Sequence, residues 1–189
     1  DVAQNIERLL DRHGYRRLVL LGQDTAVSGL RKALSRRADE RVIAVAPTDM
    51  RDPKDRIGAR VKEIVAGEEA RADRELIGLV RDQALSGNLG VFGLEATLNA
   101  LRKGQVHKLA IADDLRAKGW RCKAKECGAL CTHLKKDGCP HCGATTEVVE
   151  LGDEMVKDAM QLGAEIETVR GSAELARMGK VGALLRFRD

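Results

Sequence analysis

The chain has 189 residues, of which 43% are hydrophobic and 33% charged but only 2% aromatic (Tyr15, Phe92, Trp120 and Phe187), which suits one large or two small domains with an aliphatic core and argues against disorder and against RNA recognition by stacked bases. No apolar run approaches the ~18 residues of a membrane span, and the opening DVAQNIERLLDRHG has neither the basic start nor the cleavage site of a signal peptide. The net charge of +4, from 33 basic and 29 acidic residues, is too mild to demand a nucleic-acid partner.

Val2, Ile6, Leu9 and Leu10 recur at helical spacing, and His13-Gly14 supplies a stop. RRLVLLGQD is an apolar run closed by glycine and predicts a buried strand. TAVSGLRKALSRRA predicts one helix with Asp24 or Thr25 as its cap, and RVIAVAP predicts a second buried strand ended by Pro47. Asp52-Pro53 opens a long helical pattern. Its stripe of Ile57, Val61, Ile64 and Val65 continues through Leu76, Leu79 and Val80. Unbroken to Leu85, this helix would be ~45–50 Å long and would bridge two domains. Gly67 is its weak point, so a boundary is expected near residue 70, giving domains 1–70 and 71–189. The absence of an initiator Met makes the chain read as a fragment or processed form.

Beyond the turn SGNLG, Leu94, Leu98 and Leu101 share a helical face closed by Gly104. VHKLAIAD predicts a strand, Met155, Ala159 and Leu162 a helix, AEIETVR a half-buried strand, SAELARMG a short helix, and KVGALLRFR a final strand. Strands and helices alternate in both halves, so the class is α/β, as two small domains.

All five cysteines fall in RCKAKECGALCTHLKKDGCPHCG, residues 121–143. Without a secretory signal, clustered thiols point to a reducing cytoplasm and to metal rather than disulfides. CPHCG has the form of a zinc knuckle, and Cys127 is also followed by glycine, which marks it as the second member of another knuckle with Cys122 as its partner. The expected shell is Cys122, Cys127, Cys139 and Cys142 around a structural Zn²⁺, with Cys131 spare. One alternative replaces Cys122 by Cys131; another recruits His133 or His141. Four thiolates would close the shell and leave no position for a catalytic water, which argues against a zinc hydrolase. The positive charge sits here too. Arg116, Lys118, Arg121, Lys123, Lys125, Lys135 and Lys136 face only Glu126 and Asp137 between residues 116 and 137, and form a candidate, sequence-independent phosphate-binding surface.

ELIGLVRDQALSGNLGVFGLEATLNALRKGQVHKLAIADDL resembles the start of the C-terminal domain of archaeal and eukaryotic class-1 translation release factors. Phe92, Gly93, Leu94, Glu95, Thr97, Leu98, Ala100, Leu101, Gly104 and Val106 carry the match, and MGKVGALLRFR resembles the family's closing strand, with Lys180 standing where a second glycine is usual. The resemblance covers about residues 74–189 and extends more weakly, through RRLVLLGQD, to the middle domain of the same factors. It implies an α/β/α sandwich like the kink-turn-binding ribosomal proteins over 71–189, with a zinc-ribbon-like insert at 119–147, and a partial middle domain over 1–70. It implies ribosome or rRNA, peptidyl-tRNA and a translational GTPase as partners, in termination or ribosome rescue. The family's catalytic Gly-Gly-Gln loop is absent from this stretch; Gly22-Gln23 and Gly104-Gln105 read as plain turns. This segment is therefore expected to dock rather than to hydrolyse. The alternative is a zinc-stabilised protein- or RNA-interaction module with no hydrolytic role.

Overall fold

The protein is described by a computed structural model over residues 2–49 and 51–188. It divides into two compact units, Asp1–Arg71 and Ala72–Asp189.

The first unit begins with helix α1 (Val2–His13), which buries Ala3 and Leu10 and leaves Val2 and Leu9 exposed. Strand β1 (Leu18–Leu21) pairs in parallel with β2 (Val42–Ala46). The single helix expected between them is two. α2 (Asp24–Ala33) stops where Leu34 turns extended, and Ser35 then caps α3 (Arg36–Asp39) by accepting from the Ala38 amide. Glu7 accepts from the Ser35 amide, and Arg31 grips both oxygens of Asp39 at 2.7 and 2.9 Å, so the break is held from both sides. The cap of α2 is Gln23, with no side-chain bond; Asp24 sits inside the first turn, where its charge favours the helix dipole. Ala3, Leu10, Leu34 and Ala38, with Ile6, Leu18, Leu30 and Val42 against them, form this unit's core.

Helix α4 (Lys54–Leu85) runs through Gly67 without a break. At 32 residues it is ~48 Å long, and the division between the units falls within it.

The second unit adds β3 (Gly90–Phe92), α5 (Leu94–Arg102), β4 (Val106–Ala112), β5 (Lys118–Cys122), β6 (Leu130–Cys131), β7 (Thr146–Glu150), α6 (Leu151–Gln161), β8 (Glu165–Val169), α7 (Ala173–Arg177) and β9 (Val181–Leu185). Its main sheet has the order β3-β9-β4-β8, with β4 and β8 parallel and β9 antiparallel to both neighbours. Side chains alternate across β4. Leu109 and Ile111 join a cluster with Leu98 and Leu101 of α5 and Met155 and Ala159 of α6. Ala110 joins Ile77 and Val80 of α4 and Leu175 of α7 on the opposite face. Helices thus cover both faces, and the unit is an α/β/α sandwich, as expected. A register irregularity between Val106 and Lys108 lets Val106 join the first cluster despite its parity.

Lys180 holds a left-handed backbone, φ +65°. Its ammonium meets Asp114 at 2.7 Å.

β5, β6 and β7 form a separate antiparallel sheet of order β6-β5-β7. Leu115, Leu130 and Leu151, with Ala117 and Val149, bind its base into the main core. The approach is close at Gly119. A Cβ there would lie 2.7 Å from the Cys131 carbonyl oxygen and from the Leu151 methyls. Gly119→Ala is expected to cost about 1–3 kcal/mol in urea unfolding; an unchanged midpoint would show that β6 can move away.

Candidate metal centre

The far end of this small sheet carries the cysteines. Cys122 closes β5, and its amide bonds the Ala129 carbonyl at 2.9 Å. Between them the chain turns sharply: the amides of Cys127 and Gly128 both bond the Ala124 carbonyl, and Gly128 has φ +52°. The second knuckle repeats this. Gly143 donates to the Cys139 carbonyl at 2.8 Å, with φ +77°. The left-handed glycines turn main-chain amides inward. Ala124 donates to the Cys122 sulfur, Ala129 to Cys127, and His141 and Cys142 to Cys139.

The sulfurs of Cys122, Cys127, Cys139 and Cys142 all lie within 4.8 Å of one another. Cys122 and Cys142 are 3.4 Å apart, Cys127 and Cys139 3.8 Å. A tetrahedral Zn²⁺ with bonds of ~2.3 Å requires sulfur–sulfur edges of ~3.8 Å, so spacing and donor type fit the ion. The thiol chemistry fits as well. Burial and the neighbouring thiols push Cys122 up to about 12. Cys127 is also raised: the Ala129 amide pulls it down, but burial and the adjacent sulfurs outweigh that pull. Burial works to raise Cys139 too, yet the amides of His141 and Cys142 prevail and hold it at about 7. Four crowded sulfurs resist sharing negative charge, and a dication removes that resistance.

Cys131 lies in β6, is 5% exposed, and turns its thiol toward the Trp120 carbonyl at 3.5 Å. His133 is exposed beside Glu95, and His141 is exposed. Among the described residues no second group of His, Cys, Asp or Glu gathers as closely.

The seven basic residues do not share one environment. Lys118, Lys125, Lys135 and Lys136 are exposed, with no carboxylate partner among the described residues. Lys135 and Gly138 exchange two main-chain bonds across a turn in which Lys136 and Asp137 have φ +49° and +62°, the hairpin geometry that presents both lysines at a tip. Lys123 approaches Glu147 at 3.8 Å, and Arg116 donates to the Leu115 and Asp113 carbonyls. Arg121 is different. Its half-buried guanidinium is held by Glu154 and Asp158 of α6 at 2.7 Å each and by the Gly128 carbonyl at 3.0 Å. It ties the small sheet to α6, with Nε, Nη1 and Nη2 each engaged within the fold. Sequence reading missed this because the two carboxylates lie more than 30 residues away and nothing local marks them.

The comparisons divide along the chain: a family model matches its first part, and solved structures share its fold. Residues 1–84 match the family described as bacterial archaeo-eukaryotic release factor family 2. The fold agrees with solved relatives. The C-terminal domain of peptide chain release factor from Methanosarcina mazei is 20% identical, covering 75% of this chain and 98% of that one, with a TM-score of 0.51. Archaeal Pelota, from a ribosome-bound Pelota and ABCE1 assembly, is 19% identical with a TM-score of 0.58, covering all of this chain and 48% of that one. Dom34 of S. cerevisiae, described as a translation termination-like factor that interacts with Hbs1, is 8% identical with a TM-score of 0.60, covering all of this chain and 51% of that one. The chain therefore spans about half the length of the Pelota and Dom34 chains. A curated Zymomonas mobilis protein named 1-deoxy-D-xylulose 5-phosphate reductoisomerase is 31% identical over 114 residues, 60% of this chain but 28% of that protein. So small a share brings no activity with it. No helix among the described residues is long and apolar enough to cross a membrane.

Proposed function

We propose that this chain is the ribosome-docking part of a release-factor-like protein that acts on terminating or stalled ribosomes. The observation that carries this is the family match over residues 1–84, joined in one chain to the release-factor α/β/α fold. In this reading residues 1–70 are part of the middle domain and 71–189 the C-terminal domain, with a translational GTPase and the ribosome as partners and the cytoplasm as the place of work. Cys122, Cys127, Cys139 and Cys142 hold a structural zinc, which does no chemistry on substrate and fixes the insert's two knuckles to each other. The chain contains no Gly-Gly-Gln, so peptidyl-tRNA hydrolysis is not assigned to any residue here.

The basic residues around the insert supply salt-dependent attraction to rRNA phosphates, led by Lys118, Lys125, Lys135 and Lys136, with Arg116 and Lys123 beside them. Cosedimentation with ribosomes tests the reading. Binding is expected at ~50 mM salt, falling by about tenfold or more at ~200 mM if a few phosphates are contacted. Absence of binding at the lower salt would remove the ribosome from the reading and leave an interaction module. Lys135→Ala with Lys136→Ala should flatten the salt dependence without altering metal content.

A further inference from the structure

The four sulfurs of the centre are not equally protected. Cys139 is 1% exposed and Cys122 4%, and Cys127 is half-buried. Cys142 alone is exposed, in the middle of an open run formed by His141, Cys142 and Gly143. A reagent from solvent therefore meets Cys142 first. Beside it lies the sulfur of buried Cys122, 3.4 Å away, closer than the 3.8 Å between Cys127 and Cys139. The fifth thiol, Cys131, is buried and turned toward the Trp120 carbonyl. An exposed soft sulfur with a shielded sulfur beside it is the arrangement of an attacking and a resolving thiol.

From this geometry we infer that Cys142 is an oxidative modification site for peroxides and that Cys122 is its resolving partner. The Cys142 sulfur attacks the peroxide O–O bond and becomes a sulfenic acid as the far oxygen departs as alcohol or water. The Cys122 sulfur then attacks the sulfenic sulfur and expels hydroxide, which takes up a proton as water. A Cys122–Cys142 disulfide forms. The two thiolates have supplied the two electrons that reduce the peroxide. Cys127 and Cys139 remain as only two donors and cannot keep a tetrahedral ion. The hairpin that presents Lys135 and Lys136 leads directly into Cys139, so it loses its anchor in the same step. The inference rests on the centre's geometry and not on ribosome docking.

The test uses the zinc-loaded full chain and hydrogen peroxide, with zinc release followed by a metallochromic dye and disulfides mapped by peptide fragmentation. One zinc per chain is expected to leave as a single Cys122–Cys142 disulfide appears, and dithiothreitol with added zinc should restore the starting state. Substoichiometric iodoacetamide should label Cys142 about tenfold or more ahead of the other cysteines. The Cys131→Ser chain should behave identically. A first disulfide between any other pair, earlier labelling of another thiol, Cys142 oxidation without zinc loss, or a changed product in Cys131→Ser would each overturn the assignment. Ribosome cosedimentation of the untreated protein is read separately, so failure of docking and failure of this site cannot be confused.

Discussion

Cys139→Ser is expected to empty the metal centre and unfold its end of the insert, while Cys131→Ser keeps a full equivalent of zinc. Cys139 is almost fully buried and is the cysteine that most main-chain amides serve, so a hydroxyl in its place leaves those donors facing a poor ligand. Structural zinc sites carry about 10–16 kcal/mol of apparent binding free energy, far more than a sheet of twelve paired residues stabilises by itself. Affinity should fall by at least about 100-fold. Metal content after dialysis reads this directly, and protection of the Cys122 and Cys127 amides in hydrogen exchange reads the accompanying loss of structure. The main sheet should remain folded, because Leu109, Leu151 and Met155 are buried independently of the ion. Cys131→Ser exchanges a buried thiol for a hydroxyl that can still donate to the Trp120 carbonyl, at a cost of about 1–2 kcal/mol. Zinc lost from Cys131→Ser but kept by Cys122→Ser would mean that the shell has been assigned to the wrong cysteine.

Arg121→Met should destabilise the second unit by about 2–4 kcal/mol in urea at neutral pH. The guanidinium sits between Glu154 and Asp158, whose side chains are 17% and 24% exposed, and its removal leaves two facing carboxylates partly desolvated. Replacing both carboxylates by amides in the same chain should recover much of the loss. A cost below ~0.5 kcal/mol would show instead that water screens the cluster.

The pH dependence follows from Glu154. Its carboxyl is held below its ordinary 4.5, first by the hydrogen bond from Lys157, against burial, and then by Arg121. The unfolded chain binds this proton more readily than the folded one. The contribution is therefore complete above about pH 4.5 and drains away as pH falls through the lower folded value. In Arg121→Met that acid-side loss should shrink without vanishing, since Lys157 remains.

Much of this was legible in the chain itself. The stripes from Ile57 to Val65 and from Leu76 to Val80 announced the two ends of α4; its continuity through Gly67 was open, because residues 66–75 carry no large apolar side chain to extend the pattern. Leu94, Leu98 and Leu101 announced α5 in the same way. The short strands β3, β5, β6 and β7 were not announced. None of them carries the closed apolar run of β1 and β2 or the alternation of β8, and their pairing partners lie elsewhere in the sequence. The break after Ala33 was equally silent, for it depends on Glu7 reaching the Ser35 amide from α1.

The amino-acid sequence by itself determined the α/β class, the aliphatic core and the presence of a cysteine-rich insert, since periodicity, composition and local spacing are properties of neighbours along the chain. The glycines after Cys127 and Cys142 already favoured the four sulfurs that the fold gathers, with Cys131 as a rival ligand; tertiary structure alone decided that these four lie within 4.8 Å of one another, that Cys142 stands open while Cys139 is sealed, and that Arg121 is held by Glu154 and Asp158 of α6. Those outcomes depend on distances between residues far apart in sequence, and only folding brings such residues together.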